Sequence, residues 1–363
     1  MDSNRFIKRA FQLALRGRGA VSPNPRVGAV VVRADGKVLA EGWHRRYRSA
    51  HAEVDALSSL PEGAAKGASL FVTLEPCAHH HHTPPCTDAI IDAGIKRVFS
   101  VTRDPYSKVN GRGFEALVKA GIEVQMVGDP RVAREINRGF FCSVEQGRAW
   151  CEAKIALSID GKIADVNGVS KWISGEKSRK LAHKLRADLD AVLVGGGTVA
   201  VDDPELTVRM VKGPNPVRLI LSTSKGIPTS SKLAESAAGI RTILLSTKPV
   251  QTPPNIELVV LPENEINRID PLDVLQKLPS LGILSVLVEG GAEVLSSFME
   301  AGVVDRITVA YSPSVIGKGK SPFEKFQPIS WFERPYYHVE SVRREGEDVI
   351  VRYGRGEAPS LQA

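Results

Sequence analysis

Three residues able to hold a metal and one able to move a proton follow each other in the first part of the chain: His51-Ala52-Glu53, then Pro76-Cys77, then Cys86. One imidazole and two thiolates suit tetrahedral zinc, and three protein ligands leave a fourth position for water, as in catalytic rather than structural sites. Glu53 is not needed as a ligand and is free to carry protons. Both His51 and Cys86 stand at predicted helix starts, where exposed N–H groups and the helix dipole favour a thiolate. Taken singly, His-Ala-Glu is an ordinary helix start and two cysteines are ordinary core residues. Their conjunction points to zinc on His51, Cys77 and Cys86, with Glu53 as the proton carrier.

Hydrophobic periodicity supplies the elements that must position these groups. A helix carrying Phe6, Ala10, Phe11, Leu13 and Ala14 precedes a strand from Val27 to Val32, a turn at Asp35-Gly36 and a strand from Val38 to Gly42. A helix is expected over about 51–60, a strand from Leu70 to Leu74, and a helix opened by Pro84-Pro85 and ended at Gly94. A strand from Val98 to Val101, a helix ending at Gly121 and a strand from Ile122 to Val127 complete a three-layer α/β/α unit. Arg131 to Gly147 reads as polar and helix-prone without a core pattern, so the domain boundary is expected at 147/148. Beyond it, helices over 176–186 and 292–301 alternate with strands near 153–157, 191–194, 217–221, 242–245, 258–261 and 283–288. Strands over 306–311, 338–342 and 349–353 close a second α/β domain with antiparallel pairing.

With 363 residues, 42% hydrophobic and 25% charged, two ordinary globular domains are expected. No apolar run approaches the ~18 residues of a membrane span, and Met1 to Arg5 has no signal-type apolar stretch, so a cytoplasmic protein is expected. Four cysteines are too few for a disulfide scaffold. The first 150 residues carry 22 Lys and Arg against 15 Asp and Glu, whereas the remainder is balanced at 26 of each. That bias suits an anionic ligand, a phosphorylated small molecule or a nucleic acid, or marks only a basic surface.

Zinc nucleobase deaminases carry H-x-E followed by P-C-x-x-C, and here eight residues rather than two lie between Cys77 and Cys86. With that spacing, Thr73-Leu74-Glu75-Pro76-Cys77-Ala78-His79-His80 and Thr83-Pro84-Pro85-Cys86 resemble the deaminase half of the bifunctional riboflavin-biosynthesis deaminase/reductases. Pro23-Asn24-Pro25-Arg26 with Val27 to Val32, Gly42-Trp43-His44, and Asp104-Pro105 before Gly111-Arg112-Gly113 extend the likeness. The resemblance implies a cytidine-deaminase-like domain over 1–147 that removes the 2-amino group of 2,5-diamino-6-(5-phosphoribosylamino)pyrimidin-4-one. It implies pyrimidine contacts from Asn24, His44 and Asp104, and a contact near the phosphate from His82. The chain departs from the family at His81 and His82, where Gly and then Lys or Arg are usual, at Tyr106 for Asn, and at Arg48 for Gly. The run His79 to His82 is open to two further readings, a solvated loop or a second metal site.

The second domain resembles the family's reductase half at Ser158 to Ala164, Ser170 to Ile173, Leu185-Arg186-Ala187, Val194 to Val199, Asp202 to Arg209 and Val288 to Ala292. This implies a dihydrofolate-reductase-like domain over 148–363 that uses NADPH to reduce the ribosyl group to ribityl. Ala156, Trp172, Thr198, Asp202, Thr223 and the run Gly291, Ala292, Glu293, Val294, Leu295, Ser296, Ser297 would line the dinucleotide. Ser170, Arg186, Leu206, Arg209 and Glu289 would face the phosphosugar, and Lys154 with Asp202 would polarise the opened ribose. The expected partners are the phosphorylated pyrimidine and further copies of the chain in a homo-oligomer, not nucleic acid or membrane. The rival readings are a nucleic-acid deaminase of the tRNA-adenosine type, and the same fold with one half non-catalytic.

Overall fold

The computed structural model describes residues 3–78, 84–107, 109–223, 225–326 and 335–356. The chain divides into two compact units, Met1–Gly147 and Arg148–Ala363.

In the first unit, strands β1 (Gly28–Val32), β2 (Val38–Trp43), β3 (Ser69–Val72), β4 (Arg97–Ser100) and β5 (Glu123–Met126) form one sheet in the order β2-β1-β3-β4-β5. Strand β1, second in this order, runs antiparallel to both neighbours, and β3, β4 and β5 are parallel. Helices α1 (Ser3–Ala14), α2 (Ala52–Leu57), α3 (Cys86–Asp92) and α4 (Arg112–Lys119) cover the faces, followed by α5 (Pro130–Ile136) and α6 (Arg138–Gln146). The alternation along β1 decides the layers. Val30 and Val32 pack with Phe6, Ile7, Ala10 and Leu13 of α1, whereas Ala29 and Val31 pack with Ala52, Ala56 and Ile90 of α2 and α3. The segment read as lacking a core pattern instead forms α5 and α6 and buries Phe141 in the core below α2 and α3.

The second unit is built on a nine-stranded sheet of β6 (Trp150–Leu157), β8 (Ala191–Gly195), β9 (Val217–Leu221), β10 (Thr242–Ser246), β11 (Ile256–Val260), β12 (Ser285–Val288), β13 (Arg306–Tyr311), β15 (Tyr336–Glu345) and β16 (Asp348–Gly356). A two-stranded ribbon pairs β7 (Ala164–Asp165) with β14 (Gly319–Lys320). The order is β11-β10-β9-β8-β12-β6-β13-β16-β15, parallel from β11 to β13 and antiparallel thereafter. The helices are α7 (Glu176–Asp188), α8 (Gly196–Asp202), α9 (Lys232–Glu235), α10 (Pro271–Lys277) and α11 (Ala292–Glu300). Two apolar layers, one around Leu193, Val288 and Phe298 and one around Val192, Val194 and Leu287, sandwich this sheet.

Candidate functional site

Close packing fixes the first constellation. A Cβ on Gly42 of β2 would fall 2.3 Å from the Ala52 carbonyl oxygen and 2.4 Å from the Ala56 nitrogen, so only glycine lets α2 lie against this strand. His51 is the N-cap of α2 and Cys86 the first residue of α3. The His51 Nδ1 lies 3.2 Å from Cys86 Sγ and 3.5 Å from Cys77 Sγ, and the two sulfurs are 3.5 Å apart. A tetrahedron with Zn–N and Zn–S bonds of about 2.0–2.3 Å has edges of roughly 3.5–3.8 Å. The three donors therefore fit a single zinc ion without rearrangement of the fold. Cys86 and His51 hold the Cys77 thiol well below its ordinary value, while the hydrogen bond with Cys77, and then burial, push the Cys86 thiol up.

Glu53 is the second residue of α2, in its first turn and buried, and desolvation pushes it up to about 7. It shares a cavity of about 360 Å³ with Asn24, His44, Arg48, His51, Cys77, Asp104 and Tyr106. The His44 Nδ1 is 3.0 Å from the Ala50 carbonyl oxygen, which can only accept, so this nitrogen carries the proton. The other ring nitrogen, 3.2 Å from Asn24 Nδ2, then accepts from the amide, and burial lowers the ring's pKa. This assignment turns the Asn24 side-chain oxygen to other partners. Burial pushes Asp104 up to about 6. His81 and His82 lie outside the described residues.

Residues missed in the sequence complete this site. Phe140 and Val144, four apart on α6, line the cavity. Glu75 is buried, and its carboxylate accepts from the backbone N–H groups of Asp104 (3.2 Å), Gly111 (3.0 Å), Gly113 (3.0 Å) and Phe114 (3.4 Å). It thereby ties the segment carrying Asp104 to the strand end carrying Cys77. A Cβ on Gly113 would meet the Pro76 carbonyl oxygen at 2.0 Å, so the contact requires glycine.

In the second unit, the carboxyl ends of β8, β9 and β12 lie side by side, the place where open parallel sheets take ligands. A cavity of about 740 Å³ there is lined by Gly195, Gly196, Gly197, Ser222, Thr223, Glu293, Val294 and Ser297. A Cβ on Gly290 would stand 2.6 Å from the Val194 Cα, and one on Gly196 would stand 3.2 Å from Ser222. Backbone rather than side chain therefore borders the groove, and the N-terminus of α11 opens beside it, as a pyrophosphate requires.

Of the expected dinucleotide residues, Thr223, Glu293, Val294 and Ser297 line this cavity. Thr198 and Ala292 adjoin it, Thr198 with its hydroxyl close to Gly291 and Ala292 as the first residue of α11. Leu295 packs in the core, Ser296 is buried, Ala156 is half-buried, and Trp172 is exposed beneath the Arg179 guanidinium. Arg186, read as a phosphate ligand, donates to both carboxylate oxygens of Glu289 at 2.8 and 2.6 Å and to the Thr207 carbonyl at 3.0 Å. Lys154 joins that pair; burial lowers its pKa against the pull of Glu289. Asp202 instead faces Lys171 at 3.8 Å, and among the described residues no hydrogen bond or ion pair joins it to Lys154. Leu206 is buried with a φ of 54°, Ser170 is half-buried, and Arg209 is held by Glu205 and by its own N–H on His183 Nδ1.

Residues 1–102 match the family model of the cytidine and deoxycytidylate deaminase zinc-binding region, and residues 149–351 match that of the RibD C-terminal domain. The riboflavin biosynthesis protein RibD of Aquifex aeolicus is 43% identical over 98% of this chain and 99% of its own length. The RibD of Escherichia coli is 32% identical over 97% and 99%. The chain belongs to the RibD family. A diaminohydroxyphosphoribosylaminopyrimidine deaminase/5-amino-6-(5-phosphoribosylamino)uracil reductase from Thermotoga maritima, 37% identical, superposes with a TM-score of 0.87 over 98% of this chain and 99% of that one. As a RibD, the chain is a bifunctional riboflavin-biosynthesis enzyme that joins a zinc-dependent deaminase with a cytidine-deaminase-like fold to an NADPH-dependent, dihydrofolate-reductase-like reductase. The nucleic-acid deaminase reading is not favoured, since RibD likeness runs through both units. No helix among the described residues is long and apolar enough to cross a membrane.

Proposed function

We infer that residues 1–147 hydrolyse the 2-amino group of 2,5-diamino-6-(5-phosphoribosylamino)pyrimidin-4-one, and that residues 148–363 then reduce the ribosyl group of the product to ribityl. The observation that carries the first half is the triangle of His51, Cys77 and Cys86 with buried Glu53 beside it in one cavity. When bound there, zinc supplies the Lewis acidity that makes water nucleophilic near neutral pH. Glu53, poised near neutrality by burial, carries one proton of the attacking water to the ring nitrogen and then the second, from the added hydroxyl, to the departing amine, which leaves as ammonia. His44 is locked by Ala50 and Asn24, and the Asn24 oxygen is the atom left to accept from the pyrimidine. Asp104, tied by its backbone to the Glu75 hub, offers a second hydrogen-bonding group, and the family resemblance alone assigns His82 to the phosphate side.

In the second half, NADPH supplies the hydride when bound in the glycine-lined cavity. Thr198, Thr223 and the α11 start from Gly291 to Ser297 serve the dinucleotide, with Ala156, Trp172 and Asp202 at its margins. Ser170, Leu206, Arg209 and the Arg186–Glu289 pair serve the phosphosugar, and Lys154 beside that pair is the group that protonates the opened ribose oxygen.

Cytoplasmic residence is supported by the need for reduced Cys77 and Cys86. A homo-oligomer is supported by the outer strand β15, which leaves Val339 and Val342 exposed at a sheet edge. The zinc-loaded protein given the diaminopyrimidinone phosphate should release ammonia with or without NADPH, and should oxidise NADPH only after that release. Zinc-loaded protein that releases no ammonia overturns the reading.

A further inference from the structure

The deaminase cavity must answer a phosphate dianion, yet most ionisable groups that line it are carboxylates or belong to the metal set. Among the described residues those groups are Glu53, Glu75, Asp104, His51 and Cys77, joined by His44, two tyrosines and Arg48, the one Lys or Arg of the described lining. Glu75 is occupied by four amides and His44 by Ala50 and Asn24. Arg48 has no carboxylate partner among the described residues; its guanidinium lies 5.2 Å from the Tyr47 ring and is open to solvent. The backbone beneath it is equally unusual. Arg46 to Ser49 form a turn closed by the Ser49 N–H on the Arg46 carbonyl at 3.0 Å, and the Ser49 hydroxyl adds two further bonds to Arg46. Arg48 occupies the third position of this turn with a φ of 64°, a conformation that glycine adopts at no steric cost and a long side chain resists. A residue kept against local preference, unpaired and at the mouth of a cavity, is the signature of a side chain held for a ligand.

We propose that Arg48 is the specificity-determining cation of the deaminase site and pairs with the 5′-phosphate of its substrate. The proposal rests on the deaminase reading given above. Arg48→Gly removes the charge and suits the turn, so the fold and the zinc content stay intact. The KM for the phosphorylated pyrimidine should rise at least tenfold, with kcat changed less than threefold. The KM for the dephosphorylated substrate should not move, and Arg48→Lys should recover part of the loss. A KM within twofold of wild type in Arg48→Gly, or an equal loss on both substrates, overturns the assignment. Calorimetric binding of the phosphorylated substrate to zinc-loaded Glu53→Gln, with and without Arg48→Gly, reads the same contact without turnover. A wild-type enzyme that releases no ammonia would sink the deaminase reading, whereas that calorimetric pair decides Arg48 alone. Should Arg48→Gly fold poorly, Arg48→Gln carries the same comparison.

Discussion

Glu53 and the sulfur ligands stand within one cavity but answer to different tests, because one moves protons and the others close a coordination shell. Cys77→Ser or Cys86→Ser is expected to lose zinc, whereas Glu53→Gln keeps one zinc per chain and loses about 10²–10⁴ in deamination rate. Metal analysis beside an ammonia assay checks this, and zinc loss from Glu53→Gln would refute the proton-carrier role. A second residue-scale effect concerns His183 of α7. Burial, with Arg186 and Arg209 nearby, lowers it to about 4, and its neutral Nδ1 accepts the Arg209 N–H at 3.2 Å. Between the unfolded value near 6.5 and the folded value, the unfolded chain binds the extra proton. Stability of the second unit is therefore full above pH ~6.5 and falls by about 1–3 kcal/mol as pH drops toward 4. Calorimetry across that range should show a slope that His183→Gln flattens; an unchanged slope would assign it to other groups.

At the scale of elements, one of the tightest joints is where α4 meets the segment bearing Cys77. Gly113→Ala would set a methyl 2.0 Å from the Pro76 carbonyl oxygen, which neither backbone can yield without breaking the Glu75 hub. A destabilisation of at least about 2 kcal/mol is expected, with weakened zinc retention. Thermal unfolding and metal analysis measure both. How far the sequence disclosed such joints varied with their range. The apolar run at Gly28–Val32 and the run Val217–Leu221, interrupted by Arg218, announced buried strands within a residue, and Pro85 before Cys86 announced α3. The helix α8 was missed because it begins Gly196-Gly197, poor helix formers that read as a turn. Helix α10 had a usable signal, Asp270 capping the Leu272 N–H ahead of Pro271, that periodicity alone passed over. Phe140 and Val144 were visible as an i, i+4 pair but lacked a visible target. The partners of Glu75 lie 29 to 39 residues away, and nothing local in a sequence marks which amides a carboxylate will gather.

For the whole molecule, the two constellations sit in separate compact units, so their activities should separate. Glu53→Gln is expected to abolish ammonia release while still reducing the already deaminated substrate. Lys154→Met should show the converse, since each residue belongs to one unit only. Loss of both activities in Glu53→Gln, each assayed on its own substrate, would contradict this division. The first 150 residues also carry the chain's whole excess of positive charge, so raised ionic strength should weaken the deaminase KM more than the reductase KM.

The 3.5 Å between the Cys77 and Cys86 sulfurs has a further meaning once the metal is stripped away. A disulfide needs about 2.05 Å, the two sulfurs already lie side by side, and Cys77 is held toward its thiolate by Cys86 and His51. Peroxide would convert Cys77 to a sulfenic acid, and attack by Cys86 would expel water and close the bridge. Zinc bound to both sulfurs would keep them from this reaction. Protein kept in chelator under peroxide should fall from four titratable thiols to two and refuse zinc until a reductant reopens the pair, whereas the zinc-loaded enzyme should keep all four.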